Sequence, residues 1–169
     1  MFIAQKLRAQ SVSAYLIYMY QVEDLVRAYG LDADRIAAEY LPRFDYDEKQ
    51  LQQAKEWYES LVRMMREEGK EDAGHVRVVQ NTLDLLEEHH RELLADSDEH
   101  EYRAAYYKAL PNIVSLRTQG NNKNKQEMEN CIDALYGAAV LRMQGKELSA
   151  GTKAALQPIS DLLRILDNK

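Results

Sequence analysis

Cysteine is almost absent. The 169 residues hold one, Cys131, which excludes an intramolecular disulfide framework and any cysteine-rich zinc site. Three prolines and seven glycines are too few for a loop-rich β protein. Two phenylalanines and one tryptophan leave the aromatic content to eleven tyrosines. No stretch approaches the ~18 uncharged apolar residues of a membrane span. The best run, Ala14 to Tyr20, is stopped by Glu23 and Asp24. Positive charge is in deficit: 22 Lys and Arg face 28 Asp and Glu, a net charge of −6. That balance argues against nucleic acid, which is held mainly by neutralising its phosphates. Lys123 and Lys125, set among asparagines, form the short basic cluster and read as a solvated loop. The opening Met-Phe-Ile-Ala-Gln-Lys-Leu-Arg lacks a small-residue cleavage site, so no signal peptide is expected. The expected location is a reducing cytoplasm, with Cys131 as a small buried hydrophobe. Nucleophile elbow, P-loop, dinucleotide fingerprint and HExxH are all missing.

What is present is the helical period, in almost every window. The spacing predicts a first helix from Ser11 or Val12 to Tyr29, capped by Ser11 and ended by Gly30. A short helix follows from Ala33 to about Leu41, with Asp32 or Asp34 at its start and Pro42 at its end. Asp45-Tyr-Asp-Glu48 reads as a capping box for a third helix ending at Gly69. A fourth runs from about His75 to Leu94, and a fifth from the acidic segment at Asp96 to about Thr118, containing Pro111. A sixth spans about Lys125 to Met143 and a seventh about Ser149 to Leu166, with Pro158 inside it. No linker or internal repeat divides the chain. The expected fold is therefore all-α, one domain over residues 1–169. It is a single compact bundle of six or seven helices with mostly antiparallel neighbours.

Which residues carry chemistry follows from the faces. In the first helix Tyr15, Tyr18, Val22, Leu25 and Tyr29 share one side, and Val12, Leu16, Met19, Glu23 and Val26 share another. A helix apolar on two sides is surrounded, so it is the central one. Glu23 lies inside the second stripe, and a buried carboxylate needs a partner, for which Lys108, Arg117 and Arg142 are candidates. Glu23 is thus either half of a structural ion pair or the wall of a ligand cavity. Tyr107 and Lys108 beside Pro111, with Asp133 and Tyr136 on the sixth helix, could supply that cavity's other polar groups. His75 after Gly74 reads as a loop or capping residue, with a ligand or base role as the alternative. Glu87-Glu-His-His90 contains one Glu-x-x-His, the spacing that di-metal bundles use on each of two helices. Here it occurs once, and His90 also continues the Leu83, Leu86, Leu93 stripe.

These strings resemble a known family. Tyr15-Leu-Ile-Tyr-Met-Tyr-Gln-Val-Glu-Asp-Leu-Val-Arg27, Glu56-Trp-Tyr-Glu-Ser-Leu61, Gly74-His75, Ala105-Tyr-Tyr-Lys-Ala-Leu-Pro111 and Cys131-Ile-Asp-Ala-Leu-Tyr-Gly137 are similar to a bacterial family described as a domain of unknown function. The resemblance covers nearly the whole chain and implies a compact, helical, cytoplasmic bacterial protein. It supplies no activity, cofactor or site residue. Three readings stand on the residues alone. The preferred one is a non-enzymatic bundle acting by binding a protein partner or a second copy of itself, without nucleic acid, membrane or cofactor. The second is a small-ligand binder or enzyme whose interior pocket is lined by Glu23, Tyr107, Lys108 and Asp133, with Tyr136 and His75 nearby. The third is a metal-binding bundle using Glu87 and His90.

Overall fold

The computed structural model describes residues 2–169, and among them helix is the only regular structure. Eight α-helices follow in order: α1 (Phe2–Gln10), α2 (Val12–Ala28), α3 (Ala33–Arg35), α4 (Glu48–Glu67), α5 (Arg77–Ala95), α6 (His100–Arg117), α7 (Glu127–Met143) and α8 (Ala150–Asp167). The all-helical class agrees with the sequence reading, but the count exceeds six or seven because α1 carries little periodic signal. Its only buried side chain is Ala4, and it is held by packing along α2 rather than by an apolar stripe of its own. No described helix is long and apolar enough to cross a membrane.

The helix ends show how local chemistry sets the boundaries. Ser11 separates α1 from α2 and caps the latter, its hydroxyl accepting from the Ala14 N–H at 3.0 Å. Asp167, at the end of α8, completes that cap. Its carboxylate takes the Ser11 hydroxyl at 2.6 Å and the Ser13 N–H at 3.0 Å, a negative charge on a positive helix end. α2 stops where Gly30 and Leu31 turn left-handed, with φ of +67° and +56°. α3 is only a first turn. The chain widens into a π-type segment at Ile36–Tyr40 and tightens into a 3₁₀ turn at Leu41–Arg43 around Pro42. The capping box of α4 is Asp47 with Gln50, two residues on from the expected Asp45 and Glu48. Both frames offer an Asp three residues before an acceptor, and Asp47, with extended backbone, is the one whose carboxylate accepts the Gln50 N–H. α5 begins at Arg77 rather than His75, because Gly74 is left-handed (φ +84°) and Val76 is extended.

The buried side chains form one contiguous cluster contributed by helices from α1 to α8. α2 runs through its middle and touches α1, α5, α7 and α8, so it occupies the central place its two apolar stripes imply. Its buried residues include Tyr15, Leu16, Met19, Tyr20, Val22 and Val26. Among them sits Glu23.

Candidate functional site

Glu23 is completely inaccessible to solvent. Its expected partners do not reach it: Lys108 and Arg142 are exposed, and Arg117 pairs with Glu127. Instead the carboxylate is met by the segment that leads into α5. Its Oε1 accepts the Val76 N–H at 2.8 Å, and its Oε2 lies 2.7 Å from Nδ1 of His75. An imidazole is the stronger base of the two, so the shared proton rests on Nδ1 and donates to the carboxylate. Nε2 of His75 is then the nitrogen left over. The side chain is 18% exposed, and it lines an open cleft of about 640 Å³.

The approach of His75 has identifiable causes. Gly74 supplies the left-handed turn that aims the next residue back at α2. Arg27, one turn along α2 from Glu23, ties the loop down. Its Nε and Nη2 donate to the Lys70 carbonyl at 3.3 and 3.2 Å, its Nη2 also donates to the Gly74 carbonyl, and Nη1 pairs with Asp24 at 2.9 Å. The Tyr20 ring then stacks on the imidazole, with centroids 3.8 Å apart and planes within 15°. Backbone, ion pair and ring together hold His75 in one orientation.

The opposite wall of the cleft is α7. Asp133, Tyr136, Gly137 and Val140 fall at helical spacing on the side facing α2. Tyr136 sets its ring edge-on to Tyr20 at 5.4 Å and donates its hydroxyl to Asp24 at 2.5 Å. Burial, then the Asp24 carboxylate, push the Tyr136 phenol well above its ordinary range. Lys125 donates to Asp133 at 2.5 Å and lies 3.9 Å from Glu129. Burial raises the Glu129 carboxyl, with Lys125 opposing. Tyr20 itself is only 3% exposed, and its buried hydroxyl lies against Asp133. Burial first, and then the Asp133 charge, push that phenol far up.

Four of the residues singled out from the sequence therefore meet here: Glu23, His75, Asp133 and Tyr136. Two do not. Tyr107 is 60% exposed and Lys108 is exposed, both on the outer side of α6, whose inward face is Tyr102, Ala109 and Ile113. Tyr20, Asp24 and Arg27 are the functional candidates that the reading of the sequence passed over. Asp24 is exposed, on the cleft side.

The Glu-x-x-His of α5 is placed differently. Glu87 accepts from Arg91 Nε at 3.2 Å and from the Met128 N–H at 3.0 Å, so it caps the start of α7. His90 is buried with both ring nitrogens engaged: Nδ1 is 2.6 Å from the Tyr102 hydroxyl and Nε2 is 3.5 Å from Glu127. Glu127 also receives the Tyr106 hydroxyl at 3.0 Å and the Arg117 guanidinium. The hydrogen bond from His90, then those from Tyr106 and Arg117, hold the Glu127 carboxyl down at about 2 against the cost of burial. Among the described residues no three His, Cys, Asp or Glu side chains converge in a way that could hold a metal ion. The metal expectation for Glu87 and His90 gives way to a structural role, because each has spent its donor or acceptor atoms on neighbours.

Chemically, the cleft can receive a proton at His75 Nε2, with Glu23 stabilising the resulting imidazolium. Its lining offers no Ser, Thr or Cys side chain as a nucleophile. No curated protein and no solved structure matches the chain. One family model, described as a domain of unknown function (DUF4924), matches residues 1–169, and the chain belongs to that family.

Proposed function

We propose that the protein binds a small polar molecule in the cleft between α2, α7 and the 70–75 loop, with His75 as its central hydrogen-bonding and acid–base group. The observation that carries this reading is the fully buried Glu23 carboxylate, used to orient a partly exposed imidazole at a cleft wall. A buried charge is costly to keep, and an apolar residue of similar volume would serve the core as well or better. A carboxylate that fixes an imidazole's tautomer and direction has a use that packing alone does not supply. Proton transfer to or from a bound water or ligand is within reach of this pair, and binding without turnover is equally served by it.

The test is a ligand screen followed by side-chain NMR. Hits that move the His75 and Tyr136 ring signals, and lose affinity at least tenfold in His75→Ala, support the reading. Hits whose shifts all map elsewhere and survive His75→Ala overturn it.

A second reading, recognition of a protein partner or a second copy, is favoured by a separate feature. An apolar groove of about 270 Å³ runs between α1, α2, α4 and the start of α5, lined by Ala4, Tyr15, Met19, Trp57, Leu61 and Val78. Light scattering after size exclusion, compared between the parent and Trp57→Ala, tests self-association there. A monomer at every concentration removes that form of the reading.

A further inference from the structure

A second place on the molecule has walls of a different kind. The apolar groove between α1, α2, α4 and the start of α5 shares no lining residue with the His75 cleft, so the two stand or fall separately. α1 packs along α2, and a slot of about 270 Å³ is left between it and α4. Its floor is made of core residues, for Ala4, Met19 and Leu61 are all buried. Trp57 and Met64, each half-buried, stand at its sides. Indole, thioether and aliphatic groups together take an apolar body, and methionine adapts its shape to one. A stable dimer covers about 800 Å² on each partner. Lys6, Glu56 and Arg77, next in sequence to the lining, are charged and exposed, so the slot suits a small molecule rather than the face of a second copy.

The charge at this slot is single and positive. Arg8 alone among its described lining residues is ionised, on a chain whose net charge is −6. It lies one turn beyond Ala4, on the same side of α1. Its guanidinium sits over the Tyr15 ring, 5.5 Å from the centroid, which steadies a long side chain. Among the described residues it meets no carboxylate. Glu23 is close enough to oppose Arg8 at the Tyr15 hydroxyl, but it is fully buried and both its oxygens are taken by Val76 and His75. The guanidinium therefore keeps its donors, and a planar fork of N–H groups matches a carboxylate. One cation balances one negative charge. A doubly charged phosphate would be left half-neutralised on an acidic chain. The Tyr15 hydroxyl makes no hydrogen bond among the described residues and can add a second donor.

We propose that the groove binds a small monocarboxylate with an apolar aliphatic or aryl body, the body entering the slot beside Trp57 and the carboxylate accepting from Arg8. In this arrangement Arg8 stays on the Tyr15 ring. Burial of the body supplies most of the affinity, and Arg8 selects the sign of the head group.

Trp57 is the chain's one tryptophan, so its fluorescence reports on the groove directly. Octanoate, octanol and octylamine share one chain and differ in head charge, and acetate carries the head without the body. Octanoate is expected to change the Trp57 emission at the lowest concentration. Octanol should be weaker by about tenfold, the scale of a hydrogen bond to a charged group, and octylamine weaker still. Acetate is expected to change nothing in the same range. Arg8 is exposed, so its variants keep the fold. Arg8→Gln should weaken octanoate by about tenfold and leave octanol unchanged, and Arg8→Glu should reverse the order of octanoate and octylamine. Octanol binding as well as octanoate, or octanoate unaltered in Arg8→Gln, means that no charge is read, and the carboxylate assignment is overturned. A parent that prefers octylamine overturns it too. If no probe moves Trp57 while light scattering shows a dimer, the groove is a face between copies. If no probe moves it and the chain is a monomer, the groove is packing alone. The inference falls in both cases.

Discussion

Replacing Glu23 by alanine removes the acceptor of two buried donors at once. The Val76 N–H, 2.8 Å from Oε1, and the His75 Nδ1–H, 2.7 Å from Oε2, are both left facing the core. Each orphaned donor costs about 1–3 kcal/mol, and the lost side chain leaves a void beside α5. Together these give about 3–5 kcal/mol, the range found when one partner of a buried pair is removed. Domains have only about 5–15 kcal/mol in total, so the variant should remain folded but lose roughly 10 °C in midpoint. Glu23→Gln behaves differently. Its carbonyl still accepts from Val76, while its amide donates to His75 Nδ1 and moves the ring proton to Nε2. The stability cost is then about 1 kcal/mol, and the imidazole is turned into the wrong tautomer for accepting at the cleft. Urea unfolding of the three proteins measures the difference. An alanine variant within about 1 kcal/mol of the parent would refute the reasoning, because two buried donors cannot lose their acceptor at so small a cost.

Other consequences are open to direct measurement. Gly74→Ala forces a Cβ onto a residue at φ +84°, where it also meets the Lys70 side chain at 3.4 Å. The left-handed penalty is about 1–2 kcal/mol, and the His75 ring signals should shift as the loop gives way; equal stability and unchanged signals would show that the turn is not needed. Glu127 has a folded value of about 2 against an ordinary 4.5, so its contribution is complete above about 4.5 and is lost as pH falls through about 2. Unfolding free energies followed across that window should fall more steeply in the parent than in Glu127→Gln, and parallel slopes would contradict the assignment. Cys131 is fully buried, with burial pushing its thiol up to about 12, so it should resist alkylation until the protein unfolds. Labelling by iodoacetamide under native conditions would contradict that.

The helical class and the central place of α2 were legible because two apolar stripes leave a seventeen-residue helix only a narrow wet strip, which Gln21, Asp24 and Ala28 occupy. The burial of Glu23 followed from the same spacing. Its partner did not, since a stripe reports which side of a helix is covered and not what covers it. The answer came from a loop bent back by one left-handed glycine, and from a backbone N–H, which leaves no mark in the sequence. Lys108 and Tyr107 could have been placed correctly: Tyr102, Ala109 and Ile113 repeat at steps of seven and four, which puts positions 107 and 108 outside. Asp133 and Tyr136 stand three apart on α7, so their shared side was readable, but that it faces Tyr20 and Asp24 is a matter of tertiary placement. α1 was hidden because a short helix with one buried alanine is held by its neighbour rather than by its own pattern.

In the proposed site Glu23 presents His75 to the cleft with Nδ1 protonated and Nε2 free. Nitrogen-15 spectra of the histidine side chains test it most directly. The parent should show His75 with its proton on Nδ1 and an Nε2 signal that moves when a cleft ligand is added, and Glu23→Gln should transfer that proton to Nε2. A His75 that samples both tautomers as a free imidazole does, unchanged by Glu23→Gln, would contradict the claim.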